Sequence, residues 1–493
     1  MAEPTLSLGE ALRRLAVSQG EAPAITCEDR TISYAEFDRT TNRIARAMAA
    51  HGVRLGDMVT IGLPNSIGFM QACFAAWKLG ATPQPISYRL PRAEVEAICD
   101  LADPPLVVAL PSLETSRPRF VIEDLLAQSD DDSDLPDAIA PVLKAPTSGG
   151  STGRPKLILS GAPGVTANTP VLDGQRPWRL EPGDVALLPA PLYHNGPFGC
   201  ALSILTLGCH LVLMPRFDAE ATLAAIDRRK VTWIYLVPTM MSRIWRLPDE
   251  VKARYDLSSL RVLWHLAAPC PPALKEAWIN WVGPETVLEL YAGTEAQAVT
   301  TITGTEWLTH RGSVGPVRSG EMMAVNEAGG PLPPGEVGEI YMRPTPGSAP
   351  TYRYLGATAR TLPGGWESLG DIGWFDEEGY LYLADRRTDM ILVGGSNVYP
   401  AEVEAALDEH PLVASSAVIG LPHEDLGASI HAIVQPRPGL DEAILRAHLA
   451  ERLVTYKQPR SYEFVDQNIR DDAGKVRRTA LRDERLAQSK TDG

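Results

Sequence analysis

The densest chemistry in the chain lies in one ten-residue stretch, Thr147-Ser-Gly-Gly-Ser-Thr-Gly-Arg-Pro-Lys156. Glycines let backbone N–H groups close on an anion, hydroxyls donate to phosphate oxygens, and lysine neutralises charge. Most Gly/Ser stretches are flexible surface loops, but Arg154-Pro-Lys156 directly after the glycines weighs against that reading here. The stretch is not a Walker A loop. Leu157 stands where Ser or Thr would follow the lysine, and Leu157-Ile-Leu159 reads as a strand rather than a helix. A P-loop kinase or GTPase is therefore disfavoured. Other residues could do chemistry with an anion nearby. Glu295 is a hard oxygen donor, and Asp371, Arg386 and Tyr291 are further polar side chains of types that serve at ligand sites. His194 sits in Pro191-Leu-Tyr-His-Asn-Gly-Pro-Phe198, and Lys475 in a tail rich in Arg and Lys. Taken singly, each has a plainer explanation as a surface charge or a core side chain.

These residues are spread over 493 positions, which at about 150 residues per domain suggests roughly three units to position them. The chain has 46 Lys and Arg against 61 Asp and Glu, a net charge of −15. That balance argues against a binder of duplex nucleic acid or anionic membrane. With 44% hydrophobic and 22% charged residues, disorder and coiled coil are poor descriptions of the whole. The six cysteines are scattered without a C-x-x-C pair and read as small buried hydrophobes in a reducing compartment. No basic stretch followed by an apolar one opens the chain, so no signal peptide is expected. The most apolar segment, 199–214, is too short to span a bilayer. The expectation is a soluble cytoplasmic protein without stable membrane insertion.

Residues 7–20 read as an amphipathic helix, 22–34 as two short strands, and 34–51 and 65–79 as helices. Short apolar runs at 105–110, 185–189, 211–214, 232–237 and 262–266 alternate with helical segments, which points to an α/β fold with parallel sheets. Asp130 to Asp137 holds five aspartates and reads as a solvated loop. After a turn cluster at Gly329-Gly-Pro-Leu-Pro-Pro-Gly335 the texture changes to strands and turns. From Asp385-Arg-Arg-Thr-Asp389 onward it is that of a small α+β domain, with a helix over 400–407 opened by proline.

Ser148 to Lys156 resembles the phosphate loop [ST]-S-G-[TG]-[TS]-G-x-P-K, departing from it at Gly149 and Ser151, and further motifs follow in order. They are Tyr291-Ala-Gly-Thr-Glu295, Gly370-Asp371, Asp385-Arg-Arg-Thr-Asp-Met-Ile-Leu392, Gly395-Ser-Asn-Val-Tyr-Pro-Ala-Glu-Val-Glu404, Tyr456-Lys-Gln-Pro459, and Gly474-Lys475 with Arg478. Together they resemble, essentially end to end, the adenylate-forming superfamily of acyl- and aryl-CoA synthetases, luciferases and adenylation domains. The resemblance implies a large N-terminal body of several subdomains (1–385), a hinge (386–389) and a small mobile C-terminal lid (390–493). It implies ATP and Mg²⁺ as cofactors, with Glu295 holding the metal. It implies a nucleotide site made by Thr147, Ser148, Gly149, Gly150, Ser151, Thr152, Gly153 and Lys156, with Ala267, Ala268, Pro269, Glu289, Tyr291, Ala292, Asp371 and Arg386. Lys475, His194, Thr294 and Glu295 are implied as catalytic. Tyr193, His194, Asn195, Val237, Met240, His265 and Gly293 are implied as walls of the acyl pocket.

The implied chemistry is physically coherent. A carboxylate is a poor acyl donor, and attack on the α-phosphate of ATP gives an acyl adenylate whose leaving group is AMP. The barrier is the meeting of two anions and the charge growing on phosphorus, so preorganised cations are the expected solution. By resemblance, Lys475 bridges carboxylate and α-phosphate, and the lid then swings to bring Ile391-Leu-Val-Gly-Gly395 to the site for the second half-reaction. Two further positions depart from the pattern. Thr388 stands at the hinge where Asp or Lys is usual, and Ala292 replaces a glycine. With no carrier domain after Gly493, coenzyme A is the expected acceptor of the acyl group. An amine, as in an amide bond synthetase, is the alternative. A nucleotide-binding regulatory protein and a phosphotransferase are disfavoured by the full motif set and by the non-Walker loop. The acid is a small molecule of unidentified type, and monomer and homodimer are both open.

Overall fold

A computed structural model describes residues 5–149, 155–166, 177–386, 389–393, 396–423, 426–471 and 474–491. Of the residues expected to matter, Gly150, Ser151, Thr152, Gly153 and the hinge residue Thr388 lie outside them.

The N-terminal helices start where short polar side chains can take up free N–H groups. Ser7 accepts from Glu10 N ahead of Leu8–Ser18, Ser33 from Glu36 N ahead of Tyr34–Ala50, and Ser66 from Phe69 N ahead of Ile67–Lys78. Every residue of Ile67–Lys78 is buried, as suits a helix apolar on all sides and packed between layers. Its final Lys78 reaches the Asp38 carboxylate at 2.6 Å, so that buried charge is paired.

The largest sheet has fourteen strands among the described residues, and its hand changes midway. Pro23–Cys27, His210–Leu213, Val185–Leu188, Trp233–Leu236, Val262–His265 and Val287–Ala292 are parallel neighbours. These are the buried apolar runs expected of an α/β fold. From Val287–Ala292 onward the neighbours are antiparallel, through Val299–Thr303, Ser313–Ser319, Tyr380–Arg386 and Trp366–Phe375. A second, parallel sheet holds Met58–Gly62 between Thr82–Pro85 and Val107–Ala109. Pro155–Ser160 is a strand, as expected after the phosphate loop, and lies between Thr147–Gly149 and Tyr352–Leu355.

Residues 391–464 form a separate five-stranded sheet with its own core of Val403, Leu407, Val418, Leu445 and Leu449. Helix Pro400–Asp408 opens on proline and carries Glu404, which is buried. Glu404 accepts from Arg478 at 2.8 Å, from Arg470 at 3.1 Å and from the Val418 amide at 2.8 Å. Arg478 also reaches Asp389 at 2.7 Å. Glu404 therefore ties both ends of the segment that carries Lys475 to the lid sheet.

The acidic run at 130–137 is solvated, as expected, with all five aspartates exposed, and it is also tied to the body. Arg43 and Arg46 of helix Tyr34–Ala50 donate to the Ser129 and Ser133 carbonyls, and Arg46 pairs with Asp131 at 2.8 Å. The basic face of that helix straps the loop down. No helix of the described residues is long and apolar enough to cross a membrane.

Removing the Glu404 carboxylate should leave the mostly buried Arg470 and Arg478 with Asp408 at 3.9 Å and Asp389 at 2.7 Å as counter-charges among the described residues. Glu404→Ala is expected to destabilise the lid by about 3–5 kcal/mol. Calorimetry should show a new low-temperature transition for the lid, with the main transition of the body retained.

Candidate functional site

A cleft of about 2640 Å³ runs between the body and residues 399–483. A single small-ligand pocket occupies roughly 300–1,000 Å³, so this cleft has room for a nucleotide and a second reactant. Lys156, Glu295, Asp371, His194 and Lys475 all line it, although they lie up to 319 positions apart in the chain.

Glu295 follows strand Val287–Ala292, which ends at the cleft. Lys156 Nζ lies 3.8 Å from the Glu295 carboxylate and 3.9 Å above the Tyr354 ring. The Tyr354 hydroxyl donates to the same carboxylate at 2.5 Å, and Thr351 Oγ1 donates to the Glu295 carbonyl at 2.7 Å. Burial and the neighbouring carboxylate push the Tyr354 phenol well up, so it remains a donor. Just past the strand, Gly293 lets the chain pass close to Leu369 and Glu295, and a side chain here would require them to shift. A Cβ on Gly293 would lie 2.2 Å from Leu369 Cδ1 and 2.9 Å from Glu295 Oε2. Among the described residues no group of three or more His, Cys, Asp or Glu could hold a metal. A lone carboxylate facing an open cleft nevertheless fits Mg²⁺, which is commonly held by one or two carboxylates together with substrate phosphates.

Asp371 and Arg386 are direct partners in the antiparallel pair Trp366–Phe375 and Tyr380–Arg386. Tyr291 donates its hydroxyl to Asp371 at 2.6 Å. Ala267, Ala268, Pro269 and Ala292 form the adjoining wall. Ala267 adopts φ +79°, a strained conformation of the kind that clusters at binding sites. Across the cleft, His194 and Asn195 open helix Asn195–Thr206, with the Tyr193 and His194 rings 4.5 Å apart. The Asn195 Oδ1 is buried without a hydrogen-bond partner among the described residues, an acceptor left for a ligand.

The lid closes one side. Asp471 N and Lys475 O hydrogen-bond at 2.9 Å, as do Lys475 N and Asp471 Oδ1, which makes a tight turn. Gly474 in that turn has φ +75°, and a Cβ there would lie 2.5 Å from Thr239 Oγ1 of the body. Arg246 of the body donates to the carbonyls of Ala414 and Asp408 in the lid at 2.7 and 3.1 Å. These contacts present Lys475, exposed, to the cleft.

Residues 12–353 match the family described as AMP-binding enzyme, and residues 402–475 match the AMP-binding enzyme C-terminal domain. The chain belongs to the AMP-binding enzyme family. A feruloyl-CoA synthase of Amycolatopsis sp is 33% identical over 479 residues, spanning 94% of this chain and 95% of that protein. The o-succinylbenzoate CoA synthetase of Bacillus subtilis was solved with its acyl-adenylate intermediate. It is similar in structure with a TM-score of 0.79 at 26% identity, covering 97% of this chain and 98% of that one. The amide bond synthetase McbA of Marinactinospora thermotolerans has a TM-score of 0.76 at 26% identity, covering 97% and 99%. The α/β fold with a C-terminal domain and the AMP-forming ligase class, both expected from the motifs, are borne out.

In this AMP-binding enzyme two expected pocket residues do not reach the cleft. His265 is fully buried at the end of strand Val262–His265 and lies 3.9 Å from Glu289. Burial and Lys275 push its pKa well down, so it is a neutral core side chain, and the cleft wall begins at Leu266. Met240 is buried because helix Pro238–Trp245 turns Met240, Met241 and Ile244 into the core, leaving Val237 and Thr239 at the cleft. Glu289 lines the cleft but is bound at 2.5 Å to the buried Lys275, which also lies under the Trp307 ring. The side chains of Ser148, Gly149 and Arg386 are outside what the structure describes. Sequence reasoning missed Tyr354, Thr351 and Lys275. A single lysine in helix Pro272–Val282 reads as a surface charge, and nothing local signals its buried partner.

Lys275→Met should strand the Glu289 carboxylate beside the cleft. The expected loss is about 3–5 kcal/mol of stability, measured by urea unfolding, and Glu289→Gln in the same background should recover part of it.

Proposed function

We propose that this enzyme activates a carboxylic acid with ATP and Mg²⁺ as an acyl adenylate, releases pyrophosphate, and transfers the acyl group to coenzyme A. The observation that carries the reading is the placement of cations on opposite walls of one cleft, Lys156 beside Glu295 on the body and Lys475 on the docked lid. Between them opens a pocket headed by His194 and Asn195. Lys156 lowers the cost of phosphate charge, and Glu295 with substrate phosphates would hold Mg²⁺, which supplies further charge neutralisation when bound. Thr294 donates to the α-phosphate. Asp371 accepts the ribose hydroxyls with Arg386 as its neighbour, and its orientation is held by Tyr291. Lys475 bridges the two reacting anions, which is where positive charge is worth most. His194 positions the acid.

The lid contacts support a state ready for adenylation. Removing Lys475 for the second step requires breaking the Gly474 seat on Thr239 and the Arg246 bonds to the lid. Rotation about residues 386–389 would accomplish this. Ala292, with a methyl where a glycine is usual, narrows the adjoining wall. The six free cysteines support a reducing cytoplasmic setting.

Lys475→Ala should slow adenylation on the order of 10²–10³-fold, the scale of one lost charge-stabilising group. Thioester formation from supplied acyl adenylate should survive, and equal loss of both steps would contradict lid alternation. Asp371→Ala should weaken ATP binding at least tenfold by calorimetric titration. The acceptor is tested by supplying the best acid with ATP and either coenzyme A or an amine. Thioester formation supports the proposal, whereas amide formation with coenzyme A ignored would assign the amide synthetase activity.

A further inference from the structure

Beside helix Asn195–Thr206 the cleft lining includes Leu143, Val165, Trp178 and Leu202 together with the hydroxyl residues Ser203 and Thr206. Lys144 lines the same cleft. Lys144 belongs to the segment whose Lys144 carbonyl accepts from Ser160 N and whose Leu143 N donates to the Ala162 carbonyl, so its backbone is fixed beside strand Pro155–Ser160. Its Nζ lies 3.7 Å from the position a Cβ would take on Gly199, and the missing side chain there leaves the ammonium room. Gly199 is four residues after Asn195, one turn along the same face of helix Asn195–Thr206. That places the ammonium about 6–8 Å beyond the pocket head at 1.5 Å rise per residue.

Among the described residues Lys144 Nζ makes no ion pair or side-chain hydrogen bond, and the one titratable group acting on it is the Cys200 thiol. Burial pushes that thiol well up, so it carries no counter-charge. Lys144 is half-buried in the cleft wall, and desolvation without a nearby opposite charge lowers it to about 8. An anionic group arriving beside it would favour the charged form and gain a charge-assisted hydrogen bond.

Resting on the ligase reading above, we propose that the acid this enzyme activates carries a second, anionic oxygen group at the end remote from its reacting carboxyl. Lys144 binds that group and so determines acid specificity. Its role is positioning, because it lies a helical turn away from the reacting atoms. Below about pH 8 the lysine is charged and the preference for a distal anion is full, and it decays as pH rises and the proton is lost. The Cys200 thiol stays neutral across that window.

The test uses matched acids that differ only at the far end: terephthalate against 4-methylbenzoate, 4-carboxycinnamate against 4-methylcinnamate, and octanedioate against octanoate. The ratio of kcat/KM for hydroxylamine-trapped adenylate is read within each pair. In the wild-type enzyme at least one pair should favour the dianion on the order of tenfold to a hundredfold, the scale of one charged hydrogen bond. Lys144→Met should bring that ratio to about one, and Lys144→Arg should retain it. If Lys144→Met does not fold, judged by its thermal transition and AMP binding, Lys144→Gln replaces it. A wild-type ratio at or below one in every accepted pair, or a ratio unchanged in Lys144→Met, overturns the inference while leaving the ligase reading intact. No trapped adenylate with any acid overturns both.

Discussion

The constraint on which this molecule depends is the placement of a few positive charges inside a protein whose net charge is −15. Two anions must meet in the cleft, and the acidic background works against both. The solution visible in the structure is local. Lys156 is fixed by Glu295 and the Tyr354 ring. The turn bearing Lys475 is fixed by Asp471 and, on either flank, by Arg470 and Arg478 converging on Glu404. The Lys156 ammonium is held by a carboxylate that is itself held, whereas for Lys475 it is the backbone that a carboxylate fixes. Side chains with their rotamer freedom already removed lose little more when the ligand arrives.

That arrangement explains why much of the sequence motif content is architectural. Glu404 closes a family motif, yet its buried carboxylate is taken up by Arg470, Arg478 and the Val418 amide at the cleft's edge. Gly293 and Gly474 matter for what they lack: a methyl on either would strike Leu369 or Thr239. The strain at Ala267 and the buried Lys275–Glu289 pair show the same economy at the cleft wall around 267–269, which is held by interactions that carry their own cost.

Much of this was legible in the sequence because the signals were local. Apolar periodicity placed helices at 7–20, 34–51 and 65–79, within a few residues of the observed Leu8–Ser18, Tyr34–Ala50 and Ile67–Lys78. Buried apolar runs marked the parallel strands, and Leu157-Ile-Leu159 marked a strand rather than a Walker helix. The motif glycines, Glu295, Asp371 and Lys475 were found by type and order, and the structure brings the described ones to one cleft. What was not legible depends on partners far along the chain. His265 looked like a pocket residue because its neighbours at 267–269 are, but strand alternation turns it inward. Lys275 and Tyr354 have no local signature, since their significance arises from Glu289 and Glu295 folding against them. The aspartates at 130–137 are solvated as their run implied, but the arginines that tie that loop down lie some 90 residues earlier and could not be paired with it from sequence.

The central claim is that the cleft joins a carboxylate to the α-phosphate of ATP. It is tested most directly by identifying the nucleotide product by chromatography, with and without a panel of carboxylic acids. The account requires AMP and pyrophosphate in equal amounts, formed only when an accepted acid is present. Formation of ADP, or of AMP at the same rate without acid, would contradict it.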